Sequence, residues 1–379
     1  MIVDLAFVLD PLAGIFAGTA AVLWLLVLSR KGARYGAFMG VTFLLTLGVA
    51  TAGNLLTFLI FFELLSLAFW PLIVHNETEE ALAAGRLYLV YILSGGSVLL
   101  LGVISTYATT GSVAFDAPVP PIVTGTLLAG LSVKAALIPV HGWVPRAHPV
   151  APAPISALLS GLMVATGGLG MIRIAPELSL TPIAALTVVV AGVIAIRTDE
   201  LKRRLAWSTI SQMAYIPLAL SVLHPEALAG GIVHITHHAF MKGGLFLCAG
   251  VIIHHAGIRH VSRMAGLGRR MPWTMGAFTL LSLGLVGIPP LSGFVTKWVM
   301  GMGMVEAGAF FSLGVLLLGA LLAALYLMPI VHTAWFGEDG EAGADPPLPG
   351  LLPLVGAALL TVLLGVVPRL VDFARMVGG

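Results

Sequence analysis

The sequence predicts an all-α membrane protein with many transmembrane helices. Of its 379 residues, 59% are hydrophobic and 9% are charged, whereas soluble domains carry about 25% charged residues. So few polar residues cannot cover a soluble fold, and the apolar residues fall in long runs. The net charge of +2 is small and the basic residues form no aromatic-rich patch, which argues against a nucleic-acid partner. We therefore expect one polytopic membrane domain over residues 1–379.

About twelve apolar runs approach the roughly 20 residues that a transmembrane helix needs. The predicted spans are 5–29, 35–52, 54–75, 86–109, 121–142, 148–172, 180–196, 203–223, 227–256, 272–305, 309–336 and 348–370. The tenth is too long for one straight helix and carries Gly287, Pro289, Pro290 and Gly293 near its middle. We expect a broken helix there, and broken helices mark the binding sites of many transporters.

The basic residues indicate how these spans are oriented. Most of them lie in the connections after odd-numbered spans, and cytoplasmic connections carry the excess of Lys and Arg. We therefore expect these connections in the cytoplasm and both termini outside, in a prokaryotic inner membrane. Asp4 and Asp10 near the N-terminus are not typical of a removable signal peptide. The residues behind this asymmetry are Arg30, Lys31, Arg34, Arg86, Arg146, Arg197, Lys202, Arg203, Arg204, Arg259, Arg263, Arg269 and Arg270.

Two segments share an unusual plan, in which a proline interrupts a helix beside a buried lysine. Lys134 precedes Pro139 in the fifth span, and Lys297 follows Pro289 and Pro290 in the tenth. An offset of five spans reverses the direction of crossing, which is the signature of an inverted repeat. We expect repeats of five helices each at about 35–172 and 180–336, with broken helices at the midplane. The alternative is chance, because Pro and Gly are common in membrane helices.

Four ionisable residues lie deep within the apolar runs: Glu63, Lys134, Lys242 and Lys297. A charged side chain at membrane depth costs about 2.5–3.5 kcal/mol on insertion scales and is usually retained to move charge or bind an ion. We expect Glu63 to pair with Lys134 across a helix interface. The pair would hold Lys134 protonated, and withdrawal of Glu63 would let the lysine release its proton. The alternative for Glu63 is a protonated carboxyl that only packs.

A second set of ionisable residues follows one helix face. His234, His238 and Lys242 recur at intervals of four residues, and this stripe predicts a proton relay. Lys297, placed after the break in the tenth span, is expected to be its terminal proton donor or acceptor. Histidines held by backbone or serine partners are one alternative. Metal or haem ligation is another, without an acidic or cysteine companion to support it.

Three more residues have weaker signals. His141 and His148 follow the break in the fifth span, where they either feed protons toward Lys134 or cap the turn. Cys248 is the only cysteine, which excludes an intramolecular disulfide and a cysteine-based cluster. We expect it to be a small packing residue, and we expect no metal or other cofactor in this chain.

These residues resemble a known family: the antiporter-like subunits shared by respiratory complex I, membrane-bound hydrogenases and Mrp-type sodium/proton antiporters. The similar segments occur in the family's order and cover roughly residues 1–370. They are Phe61 to Ser66, Lys134 with Pro139 to His148, Asp199 to Gln212, His234 to Lys242, and Gly287 to Lys297.

The resemblance implies an inverted-repeat bundle that translocates protons and holds no flavin, cluster or haem. Glu63 and Lys134 would form its input pair, His234, His238 and Lys242 its central relay, and Lys297 its output lysine. The implied partners are other membrane subunits, which carry any electron transfer, together with the lipid bilayer. Protons are the implied cargo, with Na⁺ as a further candidate.

The chain departs from the family's pattern at two positions. Ala165 stands where many members carry a buried lysine or histidine, so water is expected to bridge the path there. Arg146 stands where an aspartate is common, which reverses a local charge. Two other functions remain as alternatives: a membrane scaffold that has lost transport, and a haem or quinone redox protein suggested only by the histidines.

Overall fold

The fold is helical throughout the part of the chain that the computed structural model describes, which is residues 4–28, 33–174, 179–338 and 343–378. Two isolated β-bridges, Phe7 with Ala52 and Glu200 with His260, are the extended pairings within those ranges. The first helices are Pro11–Val27 (α1), Ala33–Thr51 (α2), Leu55–Ile73 (α3), Glu79–Thr110 (α4), Pro121–Lys134 (α5), Val144–Val150 (α6), Ala153–Leu158 (α7) and Val164–Ile174 (α8). A π-helical turn, Leu159–Met163, joins α7 to α8.

The second half of the chain continues the bundle. Its helices are Thr181–Arg197 (α9), Leu201–Met213 (α10), Tyr215–Leu220 (α11), Pro225–Ala256 (α12), Leu267–Arg270 (α13), Pro272–Val286 (α14), Ser292–Glu306 (α15), Phe310–Phe336 (α16), Leu348–Val366 (α17) and Leu370–Gly378 (α18). A short 3-10 turn, Val261–Arg263, precedes α13.

The helices have the length and apolarity of membrane spans. Among the described residues, six helical segments are long and apolar enough to cross a bilayer. They are Leu55–Ile73, Glu79–Thr110, Ala153–Ile174, Pro225–Ala256, Phe310–Phe336 and Leu348–Val366. Shorter apolar helices, among them α1, α5, α9 and α14, stand beside them. The protein is therefore a multi-pass membrane protein.

Helix α12 lies at the centre of the bundle. It packs against α1, α7, α10, α11, α14, α15, α17 and α18, and all but a few of its side chains from Ala227 to Ala249 are buried. A helix that is apolar and buried all round belongs to the interior of a bundle. Polar side chains on α12 consequently face other helices rather than lipid.

Hydrogen bonds between connections sort these connections into two ends of the bundle. One end joins Asn76 to Val150, Leu201 to Arg259, and Thr274 to Asp345. The other end joins Val8 to Thr51, Leu180 to Ser221, and Glu226 to Arg375. The first end holds the described connections that carry most of the basic residues. Arg30 and Lys31, which the sequence adds to that end, lie outside the described residues.

Helices end within two of the predicted spans: the fifth is interrupted beside Lys134, as the sequence predicts, and the eighth is divided where the sequence predicts continuous helix. The predicted fifth span, 121–142, is helical only to Lys134, because Pro139 has no N–H and its ring clashes with the carbonyl of the residue four positions earlier. The predicted eighth span, 203–223, is likewise two helices, with Pro217 four residues after the end of α10 at Met213. The tenth span is interrupted between α14 and α15, where Gly287 has φ 99°, as predicted.

Candidate functional site

Lys134 lies at the interrupted end of α5. It is the last residue of that helix and is 2% exposed. Its Nζ donates a hydrogen bond to the carbonyl oxygen of Phe62 at 2.5 Å and lies 4.0 Å from Oε1 of Glu63. The indole of Trp143 donates to the carbonyl of Val133 at 2.8 Å, which holds the turn after α5 against the helix end. The fold thus brings Lys134 and Glu63 together.

Glu63 is held by charge more than by a fixed hydrogen bond. Its Oε1 is buried without a hydrogen-bond partner among the described residues, and its side chain is 23% exposed. Gly96 of α4 makes room for it, since a Cβ on Gly96 would lie 2.3 Å from the Glu63 carboxyl carbon. Because Lys134 is the cation that acts on it, the carboxylate can change its distance to the lysine without breaking another bond.

Ala165 is fully buried in α8, and hydroxyl groups occur in the π-helical turn that precedes this helix and on α10. The preceding π-helical turn contains Ser160, whose Oγ lies 2.6 Å from Oγ1 of Thr209 on α10. π-helical turns occur frequently at functional sites. The neighbouring Ser208 hydroxyl accepts a hydrogen bond from Lys242. Lys242 therefore contacts a hydroxyl of α10, and the next residue of that helix, Thr209, carries the hydroxyl that meets Ser160.

Lys242 is fully buried in the middle of α12 and has no acidic partner among the residues that the structure describes. Its Nζ donates to the carbonyl oxygen of Leu205 at 3.0 Å and to the hydroxyl of Ser208, both on α10. One turn earlier on the same face is His238, which is fully buried with both ring nitrogens lacking a partner among the described residues. A buried nitrogen left in this state costs about 1–3 kcal/mol, so a role that needs its protons is favoured over packing alone.

His234 continues the stripe toward α15. Its ring centroid lies 5.5 Å from that of His238. Nε2 is 3.1 Å from the carbonyl oxygen of Gln212, and Nδ1 is 3.5 Å from the hydroxyl of Thr296. The backbone partner was one of the alternatives for this residue, and the geometry shows that His234 has it while still lying beside His238.

Lys297 lies across the break between α14 and α15. Its Nζ donates to the carbonyl oxygen of Leu285 at 2.8 Å and lies 5.6 Å from the ring centroid of Tyr215. Its charge acts on both His234 and His238. Lysine and stripe thus belong to one electrostatic cluster, and the freed backbone of the break supplies the ammonium's partner.

His237 contacts the same break, although its position on a different face of α12 from His234 and His238 suggests packing or a lipid-interface position rather than a relay. Its Nδ1 lies 2.9 Å from the carbonyl oxygen of Ser292, the first residue of α15, and the residue is 1% exposed. The sequence offers a signal for this contact, because Ser292 lies within the Pro-Gly interruption. The sequence does not show, however, which face of α12 packs against this interruption.

Two cations expected in a surface connection are in fact buried. Lys202 and Arg204 are 6% and 8% exposed. Lys202 donates to the carbonyl of Ala151 at 2.6 Å, and Arg204 donates to the carbonyls of Thr198 at 2.6 Å and Tyr326 at 3.3 Å. The start of α10 therefore packs into the bundle, and backbone carbonyls replace the water that these cations would have at a surface.

The described residues contain no group of three or more His, Cys, Asp or Glu side chains placed to hold a metal ion. The lone thiol of Cys248 is buried within α12. What the cluster can do is exchange protons, because amines, imidazoles and one carboxylate each gain and lose them without a cofactor.

Comparison with known proteins gives one consistent result. The family described as NADH:quinone oxidoreductase/Mrp antiporter, TM, matches residues 52–323. NADH-quinone oxidoreductase subunit N of Desulforudis audaxviator is 34% identical over 90% of this chain and 75% of its own length. Hydrogenase-4 component B of Escherichia coli is 31% identical over 71% of this chain and 45% of its own length. A chain of the Mrp complex from Dietzia sp. superposes with a TM-score of 0.91 at 23% identity, covering 98% of this chain and 84% of that one.

Proposed function

This chain belongs to the NADH:quinone oxidoreductase/Mrp antiporter transmembrane family, and we propose that it translocates protons through its buried Lys, His and Glu residues. It acts as an antiporter-like membrane subunit of a complex I-like, membrane-bound hydrogenase-like or Mrp-type assembly. The observation that carries this proposal is the placement of Lys134 and Lys297 beside two interrupted helices, with the stripe on α12 between them. Water at the polar gaps would complete the connection.

In the proposed mechanism, Glu63 and Lys134 form the loadable input pair. Their 4.0 Å separation is close enough for charge attraction and too long for a direct hydrogen bond. Approach of the carboxylate favours the protonated lysine, and withdrawal favours proton release. The proton then moves toward Lys242, His238 and His234, and Lys297 is the output group. Electron transfer, where the host assembly performs it, belongs to partner subunits.

Neither alternative function is favoured. An inert scaffold would gain nothing from keeping Lys134 and Lys242 buried at the insertion cost of charged groups. The haem or quinone redox alternative rests only on the histidines, whereas the family match over residues 52–323 supports an antiporter-like subunit.

We propose the predicted architecture of about twelve spans, with an inverted repeat of residues 35–172 and 180–336 in a single membrane domain. The two interruptions support it: α5 ends at Lys134, and α14 and α15 flank residues 287–291. The grouping of connections at two ends of the bundle supports alternate crossing. By the distribution of Lys and Arg, the basic end faces the cytoplasm of a prokaryotic cell and both termini face outward across the inner membrane.

Neighbouring membrane subunits are the proposed partners, as in the assemblies that contain the relatives. The side chain of Glu63 supports this, because an ionisable side chain that is 23% exposed within a membrane span would otherwise be partly in contact with lipid. Lys297 is likewise partly exposed on α15. A partner with polar groups at these two places would remove the cost of exposing charge to hydrocarbon. We propose that Na⁺ is moved in exchange only where the host is of the Mrp type.

The proposal is tested in inside-out membrane vesicles of the native host, with acridine orange reporting the proton gradient. The gradient is formed by oxidation of the host's electron donor or collapsed by added Na⁺. Lys134→Met and Lys297→Met each remove one ammonium, and each should lower proton movement at least about tenfold. Arg203→Met is the matched control, because Arg203 is 45% exposed and lies outside the path. Normal proton movement in both lysine variants, with the assembly intact, would exclude the proposed path.

A further inference from the structure

His148 is a buried ionisable residue that has no role in the proton path proposed above. It lies in α6, is 0% exposed, and has both ring nitrogens without a hydrogen-bond partner among the described residues. Its ring stacks on Phe246 of α12, with centroids 4.7 Å apart and planes at 15°. Its backbone carbonyl accepts a hydrogen bond from Ser156 at 2.9 Å, so the backbone around the ring is fixed.

Packing alone does not explain an imidazole at this position. Each unpartnered buried nitrogen costs about 1–3 kcal/mol, and a phenyl ring would stack on Phe246 without that cost. Buried polar groups in folded proteins almost always have partners, often ordered water. The retained nitrogens at His148 therefore indicate a function that needs a proton donor and acceptor.

The charges around His148 belong to two lysines. Lys242 and Lys202 both act electrostatically on the ring. Phe246, which carries the stacked ring, is one turn beyond Lys242 on α12. On the other side, Lys202 Nζ donates to the carbonyl of Ala151 at 2.6 Å, three residues after His148. The ring thus stacks on the helix that carries Lys242, and the start of α10 contacts the segment that follows His148.

Lys202 leads to the basic end of the bundle. It is 6% exposed, whereas the adjacent Arg203 is 45% exposed. The amine of Lys202 is buried and contacts the segment that carries His148. The next residue in the chain, Arg203, is already at the surface.

We propose that His148 and Lys202 form a branch of the proton path that connects Lys242 with the basic end of the bundle. The branch rests on the proposed function, because it needs protons at Lys242. The ammonium of Lys242 gives a proton, through a bridging water, to one nitrogen of neutral His148. The imidazolium releases the proton on its other nitrogen to the neutral amine of Lys202, which passes it to solvent. The same steps run in reverse for uptake, and each transfer leaves one amine or imidazole neutral and the next protonated.

The branch is tested in the same vesicles with a substitution that removes the nitrogens and keeps the ring. His148→Phe should assemble normally, since neither nitrogen has a partner within the described chain, yet proton movement should fall at least about tenfold. Lys202→Met should give a similar loss. The double variant should be no worse than either single variant, because both changes interrupt one branch. Phe246→Leu is the packing control: it removes the stacked partner and should keep proton movement within about twofold.

Lys242→Met separates the two proposals. Normal proton movement in His148→Phe, with its loss in Lys242→Met, overturns the branch and leaves the proposed function standing. Normal movement in both overturns the proposed function itself. If the double variant loses proton movement by the product of the two single losses, the two residues act independently. That result overturns the proposal that they share one branch. If His148→Phe does not assemble, Lys202→Met decides, and normal movement in that variant overturns the branch.

Discussion

A single methyl group on α4 should disconnect Glu63 from Lys134. In Gly96→Ala the new Cβ would lie 2.3 Å from the Glu63 carboxyl carbon and 2.6 Å from Oε1, whereas ordinary contact begins at 3.4 Å. The carboxylate must therefore move by roughly 1 Å. A displacement of that size in a catalytic arrangement costs up to about 100-fold in rate, so we expect proton movement to fall by about 10-fold to 100-fold.

The assay is the acridine orange measurement in inside-out vesicles, with the amount of assembled complex determined on a native gel. Gly314→Ala is the matched control, because Gly314 also lies within a helix and its added Cβ would meet nothing within 4 Å. Both variants gain the same helix propensity, about 1 kcal/mol, so their difference reports the collision with Glu63. Equal proton movement in the two variants would refute the inferred importance of the Glu63 position.

Three further substitutions test other parts of the fold. Thr209→Val breaks the 2.6 Å hydroxyl contact with Ser160; proton movement in vesicles should fall several-fold, and an unchanged rate would remove these hydroxyls from the path. Gly293→Ala would place a Cβ 1.9 Å from a carbonyl oxygen of α14. It should destabilise the bundle by about 1–3 kcal/mol, and a thermal melt in detergent measures this loss. Gly301→Ala is the control, because its added Cβ has its nearest contact at 3.5 Å and should leave the stability unchanged. Asp10→Asn keeps the cap of α1 but removes the charge that pairs with Arg173 of α8. Its melting temperature should therefore lie below that of the wild type. Asp10→Ala also loses the cap and should melt at a lower temperature still.

The interruptions and the lysines beside them follow from local sequence. Proline lacks an N–H and clashes with the preceding turn, although Pro71, Pro329 and Pro353 lie inside helices of this chain. Pro139 and Pro290 are distinguished by a lysine nearby in an apolar run, so the sequence predicts breaks at these two places. A lysine in an apolar run is equally visible, because the membrane penalises its charge regardless of its neighbours. For these reasons Lys134 and Lys297 could be assigned to their breaks, and the membrane class and family could be identified, from the sequence alone.

The partners of the buried groups could not be predicted, because they are set by tertiary packing. Lys202 and Arg204 read as surface cations of a short connection, yet backbone carbonyls of distant segments enclose them. Ser160 and Thr209 are 49 residues apart in sequence, and neither hydroxyl stands out in a chain with so many Ser and Thr residues. His148 was equally open to two interpretations, and its stacking on Phe246, one turn beyond Lys242, depends on packing between distant segments.

In the proposed path, the shortage of acids among the described residues would allow the cluster to transmit charge. Lys242 and Lys297 bind carbonyl and hydroxyl oxygens, and Glu63, at one edge, is the carboxylate that faces a lysine of the path. Like charges repel strongly where little water screens them, so a proton on one amine or imidazole raises the energy of a proton on the next. Binding at one end therefore favours release at the other, without any movement of a helix. Glu63 is the group that can bias this chain of sites, because its approach or withdrawal changes the charge of the input pair. A partner subunit that displaces Glu63 could consequently drive the whole path through electrostatics alone.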